Sequence, residues 1–223
     1  MTIDLAPFWL SIQVAALATL LIVVAGLPLA VLLARGSFPG KAILGGIMVL
    51  PLVLPPTVLG FVLLQLLGRK GWLGAMLERE LGVVVVFHWT GAVLASALAA
   101  FPMFLLPARG AIEGVDPTLE DAARLLGRRE LSVFLHVTVP LAWRGLAAGV
   151  LLAFCRALGD FGATLMVAGD IPGLTQTASM AIYDAVQAGE TATAAVLTLL
   201  IAGVSIAALV VVQRAAPGRR PGL

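Results

Sequence analysis

The densest chemistry in this sequence lies between Glu120 and Glu130. Six charged side chains, Glu120, Asp121, Arg124, Arg128, Arg129 and Glu130, fall within eleven residues there. Acids and Arg124 stand three and four residues apart, the spacing that lets them pair on one helix face. Such a set recognises a partner or salts a surface. A second charged pair, Arg156 and Asp160, sits in an otherwise apolar stretch, again four residues apart. An ionised group at membrane depth costs about 3 kcal/mol or more when unpaired, so these two must face protein or a water-filled path. Two readings stay open. The pair is an internal salt bridge that fixes helix packing, or Arg156 and the neighbouring Gly159–Thr164 segment border an anion path. Thr57, Gln65 and Thr164 are further path candidates, as uncharged hydrogen-bonding groups within apolar windows.

No catalytic constellation assembles around these residues. The two histidines, His88 and His136, are far apart and lack the spacing of a zinc site; Cys155 has no second thiol and suits core packing. His88, beside Trp89 near a membrane face, reads as an interfacial or packing residue. No nucleophile elbow is present. The Gly40-Lys41 pair lacks the earlier glycine and the following Ser or Thr of a phosphate-binding loop, so if ATP drives this protein, another chain binds it. No basic-aromatic stretch of the kind that binds nucleic acid occurs.

The elements that position these groups are membrane spans. The chain of 223 residues is 61% hydrophobic and 12% charged, with a mean hydropathy of +1.07. A spanning helix needs about 20 mostly apolar residues, and five windows qualify: about 9–34, 42–67, 83–108, 139–168 and 191–213. The expectation is an all-α integral membrane protein forming a single transmembrane domain over 1–223. The first window is expected to be a retained span, because its leader carries Asp4 and no basic residue and its apolar run exceeds a signal core. With five spans, Arg35, Lys41, Arg109, Arg124, Arg128, Arg129, Arg144, Arg214, Arg219 and Arg220 share one side, against Arg69, Lys70 and Arg79 on the other. By the positive-inside rule the first group faces the cytoplasm, which places the N-terminus outside and the C-terminus inside.

Several elements have local signatures. Pro51, Pro55 and Pro56 crowd the second window, and Pro102 and Pro107 lie in the third. Proline frees a backbone carbonyl, which membranes tolerate in ordinary spans and also where a broken helix lines a conduit. The segment around Trp72 suits a short interfacial helix. Gly145 and Gly149 form a small-residue pattern for close helix approach, within the chain or between chains. In the charged insert, Asp116-Pro117 makes a helix start, with Thr118-x-x-Asp121 as a competing capping box. Leu119, Ala122, Ala123 and Leu126 recur on one face, Gly127 suits a left-handed helix end, and a second short helix runs from about Arg128 to the Pro140 that opens the next span. The insert, about 116–137, is too short to stand alone. It is a solvated loop or a docking element, and its apolar stripe favours docking.

The insert also resembles a known pattern. Asp121-Ala122-Ala123-x-x-x-Gly127, then nine residues, then Val137-x-Val139-Pro140, is similar to the "EAA" loop of type I ABC importer permeases, with Asp121 for Glu and valines for Ile and Leu. Glu120 lies one position earlier. "SFPGKAIL", "LPLVLPPTVLGFVLL", "GRKGWLG" and "RALGDFGATLMVAGDIPGLTQT" extend the likeness to the molybdate-transporting branch of that family. The resemblance implies a transport subunit rather than an enzyme, in a prokaryotic inner membrane, working as a homodimer. It implies that Glu120, Asp121, Ala122, Ala123, Gly127, Val137, Val139 and Pro140 couple each copy to one of two cytoplasmic ATPase subunits. ATP and Mg2+ then belong to the ATPase, this chain holds no cofactor or metal, and an extracytoplasmic binding protein delivers molybdate or tungstate. A sulfate or thiosulfate permease shares the same architecture, and a stand-alone anion channel is the remaining alternative.

Overall fold

A computed structural model describes residues 3–215; Arg219 and Arg220, counted above for orientation, lie outside the described residues. Among those described, regular structure is helical throughout. The helices are α1 (Ala6–Arg35), α2 (Lys41–Val53), α3 (Pro56–Leu67), α4 (Trp72–Leu81), α5 (Trp89–Glu113), α6 (Pro117–Leu125), α7 (Glu130–Val133), α8 (Val139–Leu158), α9 (Gly162–Ala168), α10 (Ala178–Gln187) and α11 (Thr191–Ala215). A π turn, Phe134–Thr138, joins α7 to α8.

Four helical stretches are long and apolar enough to cross a membrane: α1, α5, the run from Glu130 to Leu158, and α11. A fifth apolar segment, α2 with α3, is bent by 114°. The bend falls at Leu54-Pro55: Leu54 still donates back to the Leu50 carbonyl, but Pro55 and Pro56 have no amide hydrogen and cannot continue the helical ladder. Two window boundaries are corrected. The third window's helix, α5, runs from Trp89 to Glu113 rather than from about 83 to 108, because the chain turns at Val86-Phe87 and His88 then caps the helix, its Nδ1 accepting from the Thr90 amide. The fourth window is not one helix: the span starts a full turn or more earlier, stops at Leu158, and α9 is separate. Hydropathy sees apolarity and is blind to a break made by Gly159, Asp160 and Phe161.

The centre of the molecule is a bundle of α1, α5 and α8. Its buried positions are unusually small: Ala15, Ala18, Ala30, Ala92, Ala100, Ala108 and Ala153 surround a few large side chains such as Ile22, Leu33, Phe104 and Leu105. That composition follows from the solvent. Lipid gives no hydrophobic reward for burying leucine, so helices hold together by close backbone approach. Gly145 and Gly149 serve this packing within the chain. A side chain at Gly149 would stand 3.0 Å from the Phe104 carbonyl oxygen, and Gly145 abuts Ala111 and Pro107 of the same helix, α5. A second, smaller cluster joins α3 and α9 through Leu59, Leu63, Ala163 and Val167, with Gly60 so close to α9 that a Cβ there would lie 2.7 Å from the Met166 Cβ. The large apolar side chains Ile43, Ile47, Val53, Leu199 and Ile206 of α2 and α11 point outward.

Candidate functional site: an anchored docking helix

α6 is built as its sequence dictates. Asp116 caps it, its Oδ1 accepting from the Thr118 amide at 2.9 Å, and Pro117 occupies the first turn. The bond holds the Asp116 carboxyl below its ordinary range. Asp116 therefore takes the capping role, and Thr118 does not. At the other end Gly127 has φ +78°, and the Arg128 amide donates back to the Ala123 carbonyl. A left-handed residue closing such a bond is the usual glycine-terminated helix end. Arg124 then ties α6 to α7: it donates to Asp121 at 2.6 Å and to both oxygens of Glu130 at 2.8 and 3.2 Å. These bonds are solvent-exposed and each contributes little, but together they fix the angle of the two short helices.

The inner face of α6 is held by a carboxylate, not by its apolar stripe. Glu120 is the buried residue of the helix, 4% exposed. Its Oε1 accepts from Arg35 Nη2 at 3.0 Å and from Thr138 Oγ1 at 2.8 Å. Arg35 is the last residue of α1, and its Nη2 also donates to the Val115 carbonyl at 3.0 Å. Asp121, which occupies the Glu position of the EAA pattern, is 66% exposed and bonds Arg124. Ala122 is exposed and Ala123 half-buried. Of the predicted stripe, Leu119, Ala122 and Leu126 are exposed and only Ala123 is half-buried; Leu125, outside that stripe, is exposed as well, at 89% against 84% for Leu126, with Leu131 and Leu135 of the following segment beside them in sequence. Val137 lies in the π turn, and Val139 and Pro140 open α8. The structure thus presents an apolar tip on a polar anchor. Sequence reading missed Arg35 and Thr138 as members of the site. They lie 85 and 18 residues from Glu120, beyond any local periodicity.

The charged pair at the far end of α8 forms a closed knot. Arg156 Nη1 donates to Asp160 Oδ1 at 3.0 Å. Asp160 Oδ2 accepts from the Thr164 amide at 3.0 Å and from its hydroxyl at 2.6 Å, and that hydroxyl meets Ser96 Oγ at 3.2 Å. Asp160, Thr164 and Ser96 are all buried, and Asp160 caps α9 across the break. Thr57, at the start of α3, is brought to the same place: a Cβ on Gly162 would lie 3.5 Å from its amide nitrogen. Gln65, two turns further along α3, is exposed.

The whole arrangement fits known relatives. A family model described as "Binding-protein-dependent transport system inner membrane component" matches residues 26–221. The chain is 44% identical over 210 residues to the "Molybdenum transport system permease protein ModB" of Escherichia coli K12, covering 92% of each chain. It is 45% identical over 165 residues to the protein of that name from Haemophilus influenzae, covering 72% of each. It is 35% identical over 185 residues to the "Sulfate transport system permease protein CysW" of Synechococcus elongatus, covering 83% of this chain and 64% of the relative. A multi-span helical protein with an outward-turned apolar tip, matched along most of its length, is a transport subunit, and the chain belongs to the family of inner membrane components of binding-protein-dependent transport systems.

Proposed function

We propose that this chain is the permease subunit of an ATP-driven importer for molybdate, with tungstate as a close substitute. Two copies form the membrane path, a cytoplasmic ATPase receives each α6, and an extracytoplasmic binding protein delivers the anion. ATP and Mg2+ reside on the ATPase. ATP-driven closure of the ATPase pair draws the two α6 helices together, and the spans rock to open the path outward. The observation that carries the coupling part is the construction of α6: an apolar tip whose Leu125 and Leu126 are left bare by the described residues, on a buried ionic anchor. The choice of molybdate rests on the likeness to molybdenum transport permeases, at higher identity than to the sulfate relative described above.

The path is a weak binder in this reading. Arg156, Asp160 and Thr164 bond one another in the knot that holds α8 to α9, which leaves the 28% of the Arg156 side chain that is exposed, with Thr57 and Gln65, as polar groups toward open space. Selectivity then lies with the binding protein. The test is reconstitution of the permease with its ATPase and binding protein in liposomes. ATP-dependent uptake of molybdate, competed by tungstate and poorly by sulfate or thiosulfate, is expected. Preferential uptake of sulfate replaces the substrate, and uptake that persists without the ATPase replaces the importer with a channel. A tight molybdate site on the isolated permease contradicts the weak path.

A further inference from the structure

We infer that the Glu120 carboxylate is the mechanical joint of the permease, tying the docking helix simultaneously to the end of α1 and to the π turn beneath α8, and that Arg35 and Thr138 are positioning residues for coupling. The inference rests on the proposed role of α6 and names the residues through which that role acts.

α6 has one buried residue, and it is an acid. A helix seated by apolar side chains can slide, since dispersion contacts have no strong direction. A helix seated by a charge-assisted bond cannot, because an ionised group must keep its donors. Here the donors belong to two separate elements. Arg35 Nη2 holds both Glu120 and the Val115 carbonyl, so it pins α6 and the α5–α6 connection to α1 with one nitrogen. Its Nε is buried without a partner, so the guanidinium has little alternative satisfaction if Glu120 leaves. Thr138 donates to the same carboxylate oxygen, Oε1, and it is the last residue of the π turn. Such turns carry one extra residue in the helical ladder and are favoured where a helix must adjust. The Glu120 bond therefore ends on the irregular turn that leads into α8. A push on α6 reaches α1 and α8 together through one carboxylate.

The experiment uses the complete transporter with its ATPase and binding protein. The variants are Glu120→Gln, Arg35→Gln, Thr138→Val and the exchange Arg35→Glu with Glu120→Arg. In the first three the ATPase stays bound, while molybdate transported per ATP hydrolysed falls by about tenfold, at the low end of measured coupling between sites. The exchange restores a substantial part of that ratio. A second readout needs no substrate. Spin labels at Thr118→Cys on α6, away from the docking tip, and Leu32→Cys on α1, in a Cys155→Ser background, report whether the two helices move as one when a non-hydrolysable ATP analogue is added. The distance is expected to stay fixed in the otherwise unaltered protein and to change in Glu120→Gln. A distance that changes without the Glu120 substitution overturns the joint. So does an unchanged transport ratio in Glu120→Gln, loss of the ATPase from that variant, or an exchange that assembles without recovery. If no tested anion is imported at all, the transport reading has failed, and the spin-label distances still decide the joint.

Discussion

At the scale of single residues, Glu120 and Asp121 show how adjacent acids acquire different duties. Asp121 fits the spaced pattern and stays in solvent, whereas Glu120 is swallowed between Arg35 and Thr138. Replacing Glu120 by Gln weakens two bonds to an ionised acceptor and is expected to lower stability by about 2 kcal/mol. Replacing Asp121 by Asn changes an exposed pair and is expected to stay within about 0.5 kcal/mol. Thermal unfolding of the two variants in detergent compares them directly, and equal losses would contradict the assigned burial. Asp170, in the connection between α9 and α10, gives a pH-dependent case. Burial pushes its carboxyl above the ordinary 3.8, and the facing Asp184 adds to the push, while Gln176 opposes it. With the folded-state pKa raised, the favourable contribution is complete below 3.8 and is lost as pH climbs through the raised value. Asp170→Asn should therefore raise the melting temperature at pH 7, with the gain shrinking toward pH 4. A gain that grows on acidification has the wrong sign for this account. The Asp116 cap and the Arg156–Asp160 pair were legible in the sequence because both are local. Arg35–Glu120 was not, since nothing in either segment announces a partner 85 residues away.

At the scale of elements, the helix–glycine–helix form of the insert could be read from its capping residues, and Gly127 adopts the left-handed conformation its position predicts. Among the described residues, none beyond its chain neighbours comes within 4 Å of the place a Cβ would take there, so substitution costs strain rather than collision. Gly127→Ala should cost about 1–2 kcal/mol for the conformation alone. Gly127→Asn is better tolerated, because asparagine visits this region, and it should retain uptake. Gly127→Asp adds charge at the docking tip and should leave an inserted protein that no longer couples. Uptake assays on the three variants separate strain from charge; full uptake by the Asp variant would remove Gly127 from the coupling account. Collision governs elsewhere. Gly60→Leu must displace Met166 and push α3 from α9, and Gly149→Leu must push α8 from Phe104. Each is expected to lose about 1–3 kcal/mol as an overpacked contact, visible as a lower unfolding temperature. The proline-broken second segment was legible in outline. The end of α8 at Leu158 was not, because the residues after the break are as apolar as those before it.

At the scale of the whole molecule, hydropathy sufficed to count the apolar segments, and the basic residues sufficed to propose a direction for them. Neither reports which helices pack together. That choice is made by glycines and alanines scattered over α1, α5 and α8, whose small size carries no periodic signal. The docking tip has a further consequence, one of supply rather than transport. Leu125 and Leu126 are almost fully bare, and chaperones and proteases recognise exposed leucines of this kind in unassembled chains. Under the proposed docking, a permease made in excess of its ATPase would display its own destruction signal, and burial of the tip on assembly would silence it. Pulse-chase measurement should show a shorter half-life in cells lacking the ATPase, with Leu125→Ser and Leu126→Ser restoring it. Equal lifetimes with and without the ATPase would show that the tip goes unread, and that subunit ratio is set at synthesis.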